Sequence, residues 1–254
     1  MQPALLRLLL LDDTKIQRVI PFAPDDLSGL QLWLRADQIS GLSDGDLIQT
    51  WDDESGNGRD ATQATEAARP SYQTNEINGL PVVRFDGSDD KLVVSHNAAL
   101  QLGTGFTLFA VVLSSDTNVS ASLIGKYNTS NWVLQLNSDA ATTAGLVYAR
   151  QASPAAHIDV DTTGDVTDGS VHVIMYLWDN SDLFAFYDGT SSAAEALNDN
   201  NATTQDIEIG ANGNNQAFGA MDLGEIVIYH RELNSAEIDQ VEAYLGAKWG
   251  VTIA

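Results

Sequence analysis

A chain of 254 residues with 44% hydrophobic content can bury one large core or two small ones. Twelve Lys and Arg against 35 Asp and Glu leave a formal charge of −23, which argues against nucleic acid or an anionic membrane as partner. There is no cysteine, so disulfides and thiolate metal sites are excluded and the fold rests on its core.

At the N-terminus, Leu5 to Leu11 is apolar but interrupted by Arg7, and it is too short to span a bilayer. Met1-Gln2-Pro3 carries no charged side chain and Asp12-Asp13 follows the run, so neither an export signal nor a membrane anchor is expected. Residues 1–26 read as an arm ahead of a single domain at 27–254, since no Pro/Gly/Ser-rich linker divides the rest. The apolar side chains of the arm, Ile16, Val19 and Ile20 among them, have either a partner subunit or the domain's own surface to pack on.

Leu30 to Ala36 alternates as a first strand, Asp44-Gly45-Asp46 is a turn, and Leu47 to Trp51 is a short second strand. Gly56 and Gly58 flank Asn57 and supply positive-φ positions for a tight loop over Trp51 to Ala61. Asn78 to Pro81 is a turn, Val82 to Phe85 a strand, Asp86 to Asp90 a loop and Lys91 to Val94 a strand. Phe106 to Leu113 is apolar throughout and is predicted to be central. Strands follow at Ser122–Lys126, Trp132–Asn137 and Gly145–Arg150, then the apolar pair Val171–Trp178 and Leu183–Tyr187, then Ile207–Ile209. The closing strand contains Ile226 and Ile228 on one face and Val227 and Tyr229 on the other, so both faces are expected to be covered.

One helix is predicted, Ser235 to Trp249. Asn234 is its N-cap, Glu237 completes a capping box, and Leu233 packs on Ile238 as a staple. Ile238, Val241, Leu245 and Trp249 form its buried stripe and Gly250 stops it. About a dozen short strands with turns every ten residues or so describe an all-β sandwich or barrel.

Three stretches carry a family resemblance: Leu32-Trp33-Leu34-Arg35-Ala36-Asp37, the loop from Trp51 to Asp60, and Leu80 to Gly87. With Gly169 to His172, Tyr187-Asp188-Gly189 and the closing strand and helix, they resemble the LamG-like jelly-roll family of the concanavalin A-like lectin/glucanase superfamily over residues 27–254. The resemblance implies two curved antiparallel sheets. It also implies settings among secreted bacterial proteins or phage structural proteins, frequent carbohydrate binding and, in many members, a structural Ca²⁺. Fold alone does not give function.

Glucanases of that superfamily carry Glu-x-Asp-x-x-Glu on a strand, and Glu237 to Glu242 fits the spelling. On a helix these carboxyls fan out to about 0°, 200° and 140°, with Ile238 and Val241 buried between them. A retaining glycosidase needs two carboxyls about 5–5.5 Å apart, so Glu237 is read as a cap and Glu242 as part of a solvated face. Asp159-Val-Asp161-Thr-Thr-Gly164 opens like a calcium loop, but Ser170 stands where an EF-hand needs Glu, and a strand end with a polar turn is preferred. His96, His157, His172 and His230 show no metal spacing.

Acidic loops suit a hard cation, and Asp52, Asp86, Asp90 and Asp222 are the expected Ca²⁺ ligands. Sugar binding needs an exposed aromatic beside amides and carboxylates, and Tyr127, Trp132 and Trp178 are the candidates. Trp132 alternates with Leu134 and Leu136, which equally places it in the core, and Trp33 and Trp249 are expected there too. The expected role is a non-enzymatic virion decoration or fibre protein, homo-oligomeric, joined to other virion subunits by its arm and able to bind surface polysaccharide. The alternative is a carbohydrate-binding module on the extracellular bacterial surface, with a polysaccharide-degrading enzyme behind it.

Overall fold

The computed structural model describes residues 22–116, 121–126, 131–136, 147–152, 157–161, 164–196, 203–212 and 217–254. In chain order the strands are β1 Leu30–Arg35, β2 Thr50–Trp51, β3 Ala61–Thr62, β4 Ser71–Ile77, β5 Leu80–Asp86, β6 Leu92–Val94, β7 Phe106–Leu113, β8 Ala121–Gly125 and β9 Asn131–Leu136. They continue as β10 Val147–Ala152, β11 His157–Asp161, β12 Val171–Trp178, β13 Asp182–Tyr187, β14 Thr190–Ser191, β15 Glu195–Ala196, β16 Ile207–Ile209 and β17 Ala220–Tyr229. The helix α1 is Ser235–Trp249.

The strands make two antiparallel sheets. One runs β14-β13-β12-β7-β17-β5-β4, with β1 also on β17 and β15 on β13; the other runs β11-β10-β9-β8-β16-β6-β3-β2. This is the jelly-roll sandwich expected, with one α-helix, C-terminal, among the described residues. The apolar run Phe106–Leu113 lies between β12 and β17, as its composition demands. Phe106 of the first sheet meets Trp132 of the second at 4.9 Å between ring centroids, and Tyr176 closes a cluster with both at 6.0 and 5.9 Å. All three rings are fully buried, so this cluster joins the two sheets.

β17 is covered on both faces. Ile226 and Ile228 face the core, while on the opposite face Glu225 lies under α1 and Tyr229 Oη donates to Pro24 O at 2.8 Å. A register shift between Leu223 and Glu225 places Gly224 beneath the Trp249 ring, 2.8 Å from where a Cβ would stand. The helix ends match the sequence. Asn234 Oδ1 accepts from Glu237 N–H, Glu237 Oε2 accepts from Asn234 N–H, and Gly250 closes the helix at φ 79°.

Several details differ from the sequence reading, among them the short strands β3, β14 and β15, which it does not place. β4 was not anticipated, because Ser71-Tyr-Gln-Thr-Asn-Glu-Ile77 is mostly polar; it is the edge strand of its sheet. The turn before β5 is only Asn78-Gly79, with φ of 49° and 76°. Glu242 is 4% exposed rather than solvated, because it borders Val241 and Leu245 on the packed side of α1. Of the arm, residues 1–21 lie outside the described residues. Phe22 packs edge-on against Tyr244 at 6.3 Å, so the stretch after them is seated on the domain.

Candidate functional site

The acidic residues singled out for calcium separate into two places. Asp86 and Asp90 line one cleft with Arg84, Ser114 and Asp222. The carboxylates of Asp86, Asp89 and Asp90 come together, their nearest oxygens all within 4.8 Å. This trio fits a hard cation, and Asp89 was the member missed although it stands in the same loop. Burial and then the neighbouring Asp86 and Asp89 charges push Asp90 up to about 6, against the lowering effect of the Asp86 N–H it accepts from.

Asp222 does not join them. Both its oxygens accept from Arg84, from Nε and Nη2 at 2.6 Å each, because β5 and β17 place the two residues opposite each other. Asp52 lines a different cleft. The segment His157–Asp161 is a strand paired with β10.

The aromatic candidates fare differently. Trp132 and Trp178 are both 0% exposed and offer no face to a sugar. Trp132 is held between Phe106 and Tyr176, and Trp178 pairs with Phe106 across β12 and β7. Alternation with Leu134 and Leu136 was the signal that mattered for Trp132. Tyr127 lies outside the described residues.

A cleft of about 490 Å³ opens instead beside β2. Its apolar side is Ile39, Leu42 and Leu47, and Leu47, 43% exposed, is the one exposed large hydrophobic side chain among the described residues. Gln38, Gln49, Asp52 and Glu54 supply amides and carboxylates. Trp51 forms part of its lining with a fully buried indole, whose Nε1 has no hydrogen-bond partner among the described residues; the same holds for Arg35 Nε. Arg35 is otherwise committed, with Nη2 on Asp37 at 2.9 Å and its guanidinium 4.8 Å from the Trp33 ring centre. The sequence placed Trp51 and Asp52 in a loop, but the fold of residues 36–42 against them was not legible locally.

The glucanase spelling on α1 makes no groove. Glu237 is held by Arg231 at 2.7 and 2.8 Å, which lowers its pKa, and by its cap; Glu242 is buried. Glu237, Asp239 and Glu242 therefore provide no acid–nucleophile pair.

No curated protein matches the chain. Solved structures do. The binding domain of Paraclostridial Mosquitocidal Protein 1 superposes with a TM-score of 0.65 at 16% identity, covering 88% of this chain and 53% of that one. The botulinum neurotoxin serotype D binding domain gives 0.64 at 14%, covering 91% and 55%. A botulinum neurotoxin type C structure, described by the dependence of that toxin's cell entry upon interaction with two ganglioside molecules, gives 0.62 at 12%, covering 87% and 52%. The chain spans about half the length of each, and identities this low speak for the fold alone. A family model described as the concanavalin A-like lectin/glucanases superfamily matches residues 86–239. With the two-sheet jelly roll around it, the chain belongs to the concanavalin A-like lectin/glucanase superfamily.

Proposed function

We propose that the protein is a non-enzymatic binding module that takes a surface carbohydrate in the cleft beside β2. The observation that carries this reading is exposed Leu47 set beside Gln38, Gln49, Asp52 and Glu54 in one cleft. An apolar wall for a sugar ring, the amides of Gln38 and Gln49 to donate to its oxygens, and Asp52 and Glu54 to accept from its hydroxyls make a coherent set. A glycan array tests it. Binding to a defined glycan that is lost in Leu47→Asp supports the reading; flat signal across all glycans contradicts it.

The setting proposed is a virion surface, where the domain is displayed in several copies as a decoration or fibre protein and weak sites gain from number. A negative exterior limits self-association among crowded copies. Mass spectrometry of purified particles tests this placement. The toxin binding domains among the structural neighbours favour a second reading, an adhesion module at the extracellular bacterial surface. A structural Ca²⁺ at Asp86, Asp89 and Asp90 belongs to either setting.

A further inference from the structure

The loop Ser55 to Arg59, turned by Gly56 and Gly58 at φ 79° and 65°, encloses a separate cleft of about 380 Å³ against residues 95–97. Arg59 forms one wall. Its Nη1 donates to Gln31 O at 2.6 Å and to Gln31 Oε1 at 2.8 Å, which fixes the guanidinium. Its Nε is buried and has no partner among the described residues.

His96 forms the other wall, and its Nδ1 lies 3.0 Å from Nζ of Lys126. Lys126 is fully buried behind it. An ammonium only donates, so Lys126 gives a proton to Nδ1 and the ring keeps its own proton on Nε2, on the far side of the imidazole. The cleft is thus lined by the Arg59 guanidinium and the His96 imidazole, with a fixed cation behind the ring.

Burial pushes Lys126 down to about 8, and Asp206 is the charge that opposes this shift. Asp206 Oδ1 is already engaged by His96 N–H at 2.7 Å, and Asp60 Oδ1, at the same cleft, by Asp53 N–H at 2.9 Å. A buried cation held this way is stabilised by an anion arriving beside it.

We propose that this cleft binds an oxyanion, the sulfate or phosphate group of a ligand, through Arg59 Nε–H and His96 Nε2–H, with Lys126 behind the ring as the fixed positive charge. The site is independent of the carbohydrate cleft beside β2.

The test is a titration of the full chain with inorganic sulfate at constant ionic strength, read by ¹⁵N resonances of the four histidines. The expected result is a saturable shift at His96. Arg59→Lys keeps the charge and removes the Nε donor; Lys126→Met removes the charge and keeps the buried volume. Each is expected to weaken binding about tenfold, Arg59→Lys through the loss of one charge-assisted hydrogen bond and Lys126→Met through the loss of the charge behind the ring. Lys126→Met replaces a buried cation by an apolar side chain, so its fold is expected to persist, with circular dichroism as the check. In parallel, tighter binding of a sulfated monosaccharide than of inorganic sulfate would assign the group to a glycan, and equal binding would assign it to the free anion; both support the site. No saturable shift at His96, or unchanged affinity in both variants, overturns it.

Discussion

The ammonium of Lys248 lies 2.7 Å from Oε2 of Glu225, a carboxylate with no solvent exposure. Trp249 Nε1 donates to the same oxygen at 2.9 Å, Trp33 Nε1 and Tyr244 Oη donate to Oε1, and Lys248 also reaches Asp37 at 2.7 Å. Three donors from α1 and one from β1 therefore converge on one side chain of β17. This network joins the helix to the sheet, and every oxygen of Glu225 is satisfied.

Removing one side of it leaves the other buried and uncompensated. Lys248→Met is expected to destabilise the protein by about 3–5 kcal/mol, as for other broken buried ion pairs. Urea denaturation at neutral pH measures this, and a cost below about 1 kcal/mol would mean the pair behaves as an exposed one.

Gly224→Ala tests the contact between the same strand and helix from the packing side. The new Cβ would meet the Trp249 ring at 2.8 Å, in a place where the ring cannot rotate away without losing its bond to Glu225. A loss of about 1–3 kcal/mol is expected from overpacking. A thermal midpoint equal to that of the native protein would show that α1 shifts freely.

Stability should fall as pH rises through the mildly acidic range. Burial, and then the charges of Asp239 and Asp188, push Glu242 from 4.5 up to about 7. Between those values the folded state binds more protons than the unfolded state, so the penalty is absent below the lower value and complete above the upper one. Asp90, raised from 3.8 to about 6, acts in the same direction. Glu242→Gln removes the first contribution. It should match the native protein near about pH 4 and exceed it by on the order of 3 kcal/mol near about pH 8. Equal stability of the two at the higher pH would contradict this.

Calcium is expected to raise the melting temperature through Asp86, Asp89 and Asp90, with affinity in the range of about 10⁻⁴–10⁻³ M typical of weak extracellular-type sites. Asp89→Asn should abolish the increment, whereas Asp52→Asn should not, since Asp52 lines the cleft beside β2 instead. Loss of the increment in both variants would place the ion elsewhere.

The helix, its capping box and the central strand Phe106–Leu113 were legible because their signals are local: a cap, a period, an unbroken apolar run. The edge strand Ser71–Ile77 was not, because a strand with polar residues outward carries no such run. Asp222 looked like a ligand because its partner Arg84 is 138 residues away, and only the pairing of β5 with β17 reveals it. Trp132 and Trp178 sit close to polar loops in the chain, yet the sandwich closes over them. The cleft beside β2 draws on residues 35 to 69, so its lining is a product of tertiary folding rather than of any one motif.

The most direct measurement follows the tryptophan indole N–H resonances while a glycan that binds on the array is titrated in. Trp51, Trp132 and Trp178 have Nε1 atoms without a partner among the described residues, but of these only Trp51 lines the cleft beside β2. The account predicts a saturable shift at Trp51 with Trp132 and Trp178 unmoved. Saturable binding that leaves Trp51 unchanged would contradict it.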